Sequence, residues 1–471
     1  MENSGCFTGR RISVPVIPEN RKVRVMIPVS RKTDFIIIIG EEAMKKAWIP
    51  GIVIAAMVVG IGGMLFFERG KEPAGEYETE RVVLPVLIGG GDASWENCMN
   101  EVALCYMKEH PDVEVDIRNI VSVETIDYAK GLVIEEALGN FKGIVEMRNV
   151  ELYAGHGKLA PLPDSLTGLM KKMKDIDGKV YSLPRYYSCR GIIYNKKIFE
   201  QLELEVPESY QEFLELCRTL KGRGICPLTI GAADLWHLDI WGNGLYENDV
   251  KSLYPNWISL RNEGRVHWTD EIPMKMLADF KYLFEKGYVE DNYAMTTDAE
   301  TIEMLTEEKA AMLYSGTWLF SQILKADPQF EIGWFFLPND VTEAFIGLHG
   351  DWEWAVTDST REDKKMYDAA VDFLGFYYSH DIYQRVLQNM NGFSSLKEDI
   401  PYQAIPIQSA IMQQVKEKGE FAGASIGTED TPEGFGNIMY QNMLDLANGM
   451  QSVEKTAENL DREWEKRLET N

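Results

Sequence analysis

Large aromatic side chains stand beside turns in four separate stretches of this 471-residue chain. Core aromatics usually lie inside periodic apolar runs, whereas these lie at the ends of predicted elements, among Gly, Pro and Asp. Aromatic ring faces suit the apolar C–H faces of sugar rings, and nearby polar side chains can bond to hydroxyl groups. The residues are Tyr186 and Tyr187 after Leu183-Pro184, Trp236 and Asp239 in AADLWHLDIW, Trp318 after Gly316-Thr317, and Asp351-Trp352 after Gly350. Their joint placement predicts a carbohydrate-binding site.

Trp318 ends the stretch EKAAMLYSGTW, in which an apolar run stops at Gly316 and Thr317. Glycine lets a backbone pass close to another group, because it carries no side chain. We therefore expect Gly316 to bring the backbone close to a ligand. The indole of Trp318 is then expected to serve as a platform for that ligand rather than as core filler.

The elements that must position these residues alternate between strand and helix. Arg81–Ile88 reads as a buried strand, Ser94 as the cap of a helix ending near His110, and Val113–Ile117 as a second strand. This β-α-β order predicts an α/β fold with a parallel sheet that binds ligands at the carboxyl ends of its strands. Farther along, Ser209 reads as a helix cap, and residues 439–468 read as one charged helical stretch.

Charge excludes one class of partner. Lysine and arginine total 48 against 74 aspartates and glutamates, which gives a net charge of −26. Residues 1–46 are net +4 and residues 47–69 are neutral, so residues 70–471 carry −30. A body so acidic repels phosphate backbones and anionic lipid headgroups, which argues against nucleic acid as a partner. It leaves a neutral small ligand open.

Motifs for catalysis or metal binding are missing from the sequence. No GxxxxGK[ST], GxSxG, HExxH or kinase signature occurs, and the six cysteines form no CxxC pair. No histidine has zinc-ligand spacing. We therefore predict no catalytic residue, no metal and no cofactor. A pair of glycosidase carboxylates stays open on composition, because such a pair needs only the right separation in space.

Trp48–Phe67 is an uncharged run of twenty residues, long enough as a helix to span about 30 Å of hydrocarbon. Lys45 and Lys46 precede it, so the positive-inside rule places the acidic body on the extracytoplasmic face. We predict a transmembrane signal-anchor over residues 47–68 at the cell membrane, followed by a polar tether over 69–80. An uncleaved anchor is favoured over a removed signal peptide, because no small-x-small cleavage site follows closely.

Residues 1–46 form a separate N-terminal segment whose first 43 residues fit no export signal. The codons for Gly40–Ala43 can read as a purine-rich ribosome-binding site ahead of Met44. One hypothesis is therefore that translation starts at Met44. The alternative is a start at Met1, and a peptide from upstream of Met44 in mass spectra of the native protein would establish it.

Several longer stretches resemble one protein family, the extracytoplasmic carbohydrate-binding proteins of bacterial ABC importers, of the maltodextrin-binding type. The resemblance covers roughly residues 80–470. The stretches are DGKVYSLPRYYSCRGIIYNKKIFEQLELEVPESYQEFLELCRTLKGRGICPLTI (177–230), EEKAAMLYSGTW (307–318), GWFFLPND (333–340), DAAVDFLGFYYSHDIYQRV (368–386) and MLDLANGMQSVEKTAENLDREWEK (443–466).

The resemblance implies a two-lobed fold of the periplasmic-binding-protein type II class, in which the chain crosses a hinge three times. Lobe I is expected to comprise residues 81–188 and 340–392, and lobe II residues 189–339 and 393–471. Tyr186 and Tyr187 then fall at the first hinge, Trp318 at the family's stacking tryptophan, and Trp236 on lobe II.

The resemblance also places Asp92 and Trp95 in the first strand–helix turn, where ligand contacts are common. Two departures from the family pattern stand out. Asp351 replaces a usual glycine beside Trp352, and the loop Gly139–Gly143 lacks the usual Pro-Asp, which leaves contacts from Glu146, Arg148 or Asn149 open. The full set of ligand-binding residues expected is Asp92, Trp95, Tyr186, Tyr187, Trp236, Asp239, Gly316, Trp318, Asp351 and Trp352.

The function implied is that of a monomeric binding protein, not an enzyme. It would capture a neutral mono- or oligosaccharide between its lobes and deliver it to the transmembrane subunits of an ABC permease. An alternative is a sugar-sensing receptor of the same fold that signals to a membrane kinase or chemotaxis partner. An enzyme acting on glycans is a third interpretation.

Overall fold

The architecture is that of a computed structural model, in which the chain divides into two compact units, Met1–Thr79 and Glu80–Asn471. The described residues are 23–27, 35–39, 81–89, 93–120, 128–340, 343–350, 352–421, 426, 431–432 and 434–469. In the first unit, strands β1 (Val23–Ile27) and β2 (Phe35–Ile39) pair in antiparallel fashion.

The predicted membrane anchor at residues 47–68 and the tether at 69–80 lie outside the described residues. The remainder of the N-terminal segment lies outside them as well, apart from the two strands. Among the helices that are described, none combines the length and the apolar character needed to cross a membrane.

The second unit alternates strands and helices. Its first half contains β3 (Val82–Ile88), α1 (Ala93–Glu109), β4 (Val113–Asn119), α2 (Tyr128–Ala137), β5 (Ile144–Met147), α3 (Val150–Gly155), α4 (Asp164–Thr167), β6 (Ser182–Pro184), β7 (Arg190–Asn195), α5 (Lys196–Gln201), α6 (Tyr210–Gly222), β8 (Cys226–Thr229), α7 (Trp236–Leu245), a π-helix (Tyr246–Lys251) and α8 (Trp257–Asn262). Its second half contains α9 (Glu271–Glu285), α10 (Asp298–Thr306), β9 (Ala310–Gly316), a 3-10 turn (Thr317–Leu319), α11 (Phe320–Ala326), β10 (Ile332–Phe335), β11 (Gly347–Leu348), β12 (Glu353–Val356), a 3-10 turn (Asp358–Glu362), α12 (Lys364–Tyr377), α13 (His380–Met390), α14 (Pro406–Lys418), β13 (Glu420–Phe421), α15 (Phe435–Ala447) and α16 (Val453–Leu468).

Lobe I is built on a five-stranded sheet in the order β4-β3-β5-β12-β6. The predicted β-α-β unit is present: β3 is parallel to both β4 and β5, whereas β12 runs antiparallel to its neighbours. Strand β3 is buried over its last five residues because helices α1 and α12 contact this layer. The first helix begins at Ala93, so Ser94 lies inside it rather than at its cap.

Lobe II is built on a four-stranded sheet in the order β10-β7-β9-β8, with only β8 and β9 parallel. One face is covered by helices α6, α7, α9, α15 and α16 around a core rich in aromatic side chains. Ser209 caps α6 as predicted, since its hydroxyl accepts a hydrogen bond from the backbone N–H of Glu212 at 3.2 Å. The predicted helical stretch at 439–468 is two helices, broken where Gly449 adopts φ +68°.

The chain passes between the two sheets three times. These crossing segments are residues 185–189, 336–352 and 391–405. The first is the central one, because Tyr187 pairs with Phe393 of the third segment and Ser188 pairs with His349 of the second. Backbone hydrogen bonds of 2.8–2.9 Å join each pair in both directions. Three segments therefore connect the lobes, and the first of them is hydrogen-bonded to each of the other two.

A buried carboxyl in lobe II links folding to pH. Glu290 is 8% exposed and accepts hydrogen bonds from Thr229 Oγ1 at 2.9 Å and from the backbone N–H of Ile230 at 3.2 Å. Burial raises the pKa of Glu290 to about 7, although these hydrogen bonds oppose the rise. The folded protein therefore holds a proton at Glu290 over a pH range in which the unfolded chain has released it.

We expect the free energy of unfolding to fall as pH rises from about 5 to about 7, because the native state binds more protons over this range. Glu290→Gln keeps an acceptor oxygen but removes the titrating carboxyl. It should therefore make the fall in the free energy of unfolding smaller by up to about 3 kcal/mol. Asp249, whose pKa burial also raises to about 7, should preserve part of the slope. Urea unfolding at a series of pH values measures this. A slope that Glu290→Gln leaves unchanged would contradict the prediction.

Candidate functional site

Glu146 forms a buried anchor at the carboxyl ends of β3 and β5, the edge at which α/β sheets bind ligands. Its side chain has no exposed surface. Its Oε2 accepts hydrogen bonds from the backbone N–H of Gly89 at 2.7 Å and from Nε1 of Trp95 at 3.2 Å. Its Oε1 accepts one from Nη1 of Arg185. One carboxylate therefore joins the end of β3, the first helix and the first crossing segment.

Two predicted ligand-binding aromatics, Trp95 and Tyr186, are buried, with 1% and 5% of their surface exposed. The guanidinium carbon of Arg185 lies 4.4 Å from the ring centre of Trp95 and 4.9 Å from that of Tyr186. Trp354 packs against Trp95 with ring centres 5.9 Å apart. The sequence predicts that both ring faces are open to a ligand. In the structure, Arg185 covers both rings and Trp354 also packs against Trp95.

Tyr187 also lies in a core rather than at an open surface. It is 4% exposed and packs in the apolar cluster of lobe II with Phe393 and Cys189. Burial raises the pKa of its phenol well above the ordinary value, with a smaller contribution from Glu353. The apolar surroundings suit a residue that fixes the first crossing segment, and a ligand contact from this ring stays a prediction.

Trp318 is half-buried and packs against the cores on both faces of the lobe II sheet. Its indole lies directly over Gly316, where a Cβ atom would come within 1.9 Å of the ring. Gly316 itself is extended, with φ −133°, a conformation open to any residue. The glycine is therefore required by the indole. A ligand beside the backbone of Gly316 stays a prediction, as does the role of Trp318 as its platform.

Trp236 and Asp239 lie three residues apart on α7. Trp236 is half-buried, and its ring lies against that of His237 with centres 4.1 Å apart and planes tilted by 34°. Asp239 is 7% exposed, and its Oδ1 accepts hydrogen bonds from the Tyr440 hydroxyl at 2.7 Å and from Asn243 Nδ2. Trp236 and Asp239 are close in the sequence, whereas the phenol of Tyr440 on α15 reaches Asp239 only through the fold.

Arg148 of lobe I acts electrostatically on this part of lobe II. Burial and the carboxylate of Asp239 raise the pKa of Tyr440 well above the ordinary value, while the nearby guanidiniums of Arg148 and Arg190 oppose the rise. Arg148 follows β5 of lobe I, whereas Tyr440 belongs to lobe II. These groups therefore lie within electrostatic reach of each other across the space between the lobes.

Trp352 is the predicted aromatic that stays half-buried on lobe I. Its ring centre lies 5.0 Å from the guanidinium carbon of Arg148 and 5.7 Å from that of Arg185. Its carbonyl oxygen accepts a hydrogen bond from the backbone N–H of Arg185 at 3.1 Å. The predicted site residues Asp92 and Asp351 lie outside the described residues.

A small polar pocket opens where the second crossing segment meets lobe II. Glu247 of the π-helix stands between Arg190 Nη1 at 3.6 Å and His349 Nε2 at 3.5 Å, and all three side chains are below 5% exposed. Tyr314 and Asn248 also line this pocket. Sequence reasoning did not select these residues. π-helical turns often occur at functional sites, but the pattern of a single sequence does not predict where a π-helical turn will form.

Sequence reasoning also missed Arg185, Asn243 and Tyr440. Arg185 stands between Pro184 and Tyr186, so its adjacency to the aromatic pair was an available signal. Tyr440 meets Asp239 from 201 residues away, for which the sequence carries no sign. Within the ranges that the structure describes, no group of histidines, cysteines and carboxylates could hold a metal ion.

The comparisons with known proteins agree with this architecture. Among solved structures, the fold matches a chitin oligosaccharide binding protein with a TM-score of 0.72 at 22% identity, over 83% of this chain and 100% of that one. It also matches the solute-binding protein RafE in complex with raffinose, with a TM-score of 0.67 at 19% identity, over 82% of this chain and 100% of that one. Both likenesses show a two-lobed α/β solute-binding fold.

The sequence identifies the family. The profile of the bacterial extracellular solute-binding proteins matches residues 89–384, more than half of the chain, and the chain belongs to this family. The resemblance noted in the sequence is thereby confirmed.

Curated relatives include the multiple sugar-binding protein of Streptococcus mutans, 26% identical over 197 residues. That match covers 40% of this chain and 46% of that protein, so it spans less than half of the relative's length. An uncharacterised ABC transporter extracellular-binding protein of Pyrococcus horikoshii is 23% identical over 313 residues, 61% of this chain and 68% of that one.

Proposed function

We propose that this protein captures a neutral mono- or oligosaccharide between its lobes and delivers it to the transmembrane subunits of an ABC permease. The single observation that carries the proposal is that a cationic donor on lobe I and a carboxylate on lobe II both act on the phenol of Tyr440. The guanidinium of Arg148 opposes the rise in the pKa of this phenol, and the hydroxyl of Tyr440 donates to Oδ1 of Asp239. Sugar hydroxyls both donate and accept hydrogen bonds, so they suit a space with cationic donors on one wall and a carboxylate on the other.

Half-buried indoles supply the apolar part of the proposed site. Trp236 and Trp318 belong to lobe II and Trp352 to lobe I, and each keeps part of its surface accessible. Stacking on C–H faces removes apolar surface from water at little entropic cost, because an indole has few rotatable bonds. Of the ten predicted ligand residues, these three tryptophans have the partial exposure expected of direct contacts. Asp239, Trp95, Tyr186 and Tyr187 are buried.

Capture would work by closing the lobes about the three crossing segments. A ligand shifts such an equilibrium only by its difference in affinity for the two states, so contacts from both lobes are required. The residues named above come from both. We propose lobe boundaries at residues 81–188 with 340–392, and 189–339 with 393–471, in keeping with the two sheets.

The relatives support transport as the purpose of binding. The name of the Streptococcus mutans relative describes sugar binding, and that of the Pyrococcus horikoshii relative describes an ABC transporter. We propose an extracytoplasmic location, a membrane anchor at residues 47–68 and a monomeric state. Anchoring would raise the effective concentration of the loaded protein near its permease. The sensing and enzymatic alternatives have no observation that favours them.

A thermal-shift screen of the purified full-length protein tests the proposal. Neutral mono- and oligosaccharides form one panel, and amino acids and dipeptides form the control panel. We expect Tm to rise with at least one sugar and with no control compound, because a ligand that binds only the folded state stabilises it. Chromatography should recover the sugar unchanged. A Tm rise confined to the control panel, or hydrolysed sugar, would contradict the proposal.

A further inference from the structure

Arg185 lies at the ligand edge of lobe I in a setting that fixes its guanidinium. It follows β6 in the first crossing segment, beside the carboxyl ends of β3 and β5. Nη1 donates to the fully buried carboxylate of Glu146, and the plane rests against the rings of Trp95 and Tyr186 at 4.4 and 4.9 Å. A guanidinium held by a carboxylate and by two neighbouring rings loses little further conformational entropy when it binds another group.

The remaining donors of this guanidinium are available. Within the described part of the chain, Nε and Nη2 of Arg185 donate to no protein acceptor, and the side chain keeps 13% of its surface exposed. Nε and Nη2 form one edge of the guanidinium, with two parallel N–H groups that can bind two oxygens at once. The centre of the half-buried ring of Trp352 lies 5.7 Å from the guanidinium carbon of Arg185.

We infer that Arg185 is a specificity-determining ligand contact, and that its Nε–Nη2 edge donates to two neighbouring oxygens of the bound sugar. This inference rests on the proposed function and adds a residue to it. Trp95 and Glu146 then act as positioning residues: they hold the guanidinium and do not touch the ligand. Two vicinal hydroxyls, or a hydroxyl and the ring oxygen, match the two parallel donors, so Arg185 selects sugars that carry such a pair unblocked.

The arrangement on lobe II supports this assignment. Among the described residues, the hydrogen bonds that Asp239 accepts from Tyr440 and Asn243 both end on Oδ1, so Oδ2 can accept a hydrogen bond from a ligand hydroxyl. A sugar whose hydroxyls accept from Arg185 can donate from other hydroxyls to Asp239. Such a ligand favours the closed state, because the two bonds form together only when both lobes contact it.

Arg185→Lys tests the inference, since lysine keeps the charge beside Glu146 but loses the bidentate edge. Arg261→Lys is the matched control: Arg261 lies on α8 of lobe II, 1% exposed, 3.0 Å from Asp461 and 5.7 Å from the ring centre of Trp464. By calorimetry with the sugar that stabilises the wild type, Arg185→Lys should raise Kd about 10- to 100-fold, as expected for lost hydrogen bonds to a charged donor. Arg261→Lys should leave Kd unchanged.

Deoxy analogues of that sugar separate a ligand contact from a structural role. At the position that Arg185 binds, loss of the hydroxyl should weaken binding to the wild type but have little effect on Arg185→Lys. Arg185→Met combined with Glu146→Gln, which leaves no unpaired buried charge, should bind as weakly as Arg185→Lys. If both variants bind like the wild type, or if every analogue loses equal affinity for the wild type and Arg185→Lys, the inference is overturned. A wild type that binds no sugar overturns the proposed function instead.

Discussion

Trp318→Ala is expected to weaken sugar binding by about 100-fold, which corresponds to roughly 2.7 kcal/mol for an aromatic side chain removed from a ligand contact. The half-buried indole keeps accessible surface at the end of β9, beside Gly316. Isothermal titration of the wild type and the variant with the same sugar measures the effect.

Trp318→Ala should also lose stability, because the indole packs against the cores on both faces of the lobe II sheet. A second variant, Gly316→Ala, separates the two effects. Its new methyl group would meet the indole at 1.9 Å and force the ring to move, while no apolar group is removed. We expect Gly316→Ala to weaken binding by at least tenfold. Affinity that stays at the wild-type value in both variants would contradict the role of Trp318 as a platform.

Glu146→Ala is expected to destabilise the protein by about 3–5 kcal/mol, the usual result when one partner of a buried ion pair is removed. The change leaves the guanidinium of Arg185 without its carboxylate, and the backbone N–H of Gly89 and Nε1 of Trp95 without their acceptor. Urea unfolding of the wild type and the variant, followed by tryptophan fluorescence, measures the loss.

Glu146→Gln provides the comparison for this prediction. Glutamine keeps an acceptor oxygen and the volume of the side chain, so we expect a smaller loss than for alanine. Adding Arg185→Met to Glu146→Ala removes the buried charge and should recover part of the lost stability. A Glu146→Ala variant within about 1 kcal/mol of the wild type would show that Glu146 is not the anchor described here.

Local patterns were sufficient for most secondary structure. The Ser209 cap depends on its immediate neighbours, the β-α-β unit on apolar spacing within each of its elements, and the family resemblance on continuous motifs, and all are confirmed. Errors arose at element ends. Ser94 lies one residue inside its helix, and the predicted helix over 439–468 is broken near Gly449. Such boundaries depend on backbone conformations that residue type only biases.

The burial of the predicted aromatics depended on distant partners. Trp95 and Tyr186 have the sequence setting of open ligand platforms, yet Arg185 covers them because Glu146, 39 residues away, holds its charge. In the same way, Asp239 is fixed by Tyr440 from 201 residues away. No local sequence pattern predicts that the ion pair of Arg185 and Glu146 covers the rings of Trp95 and Tyr186.

The sequence by itself determined the alternation of strands and helices, the acidic body, the family and the set of aromatics beside turns. These features follow from composition and from short-range spacing, both of which can be read directly from a single sequence. Only the tertiary structure decided which aromatic faces stay accessible, why Gly316 has no side chain, and which groups of the two lobes face each other. Those outcomes depend on packing and on buried charge pairs between residues far apart in the chain. The energies of these interactions exceed the local conformational preferences of the residues.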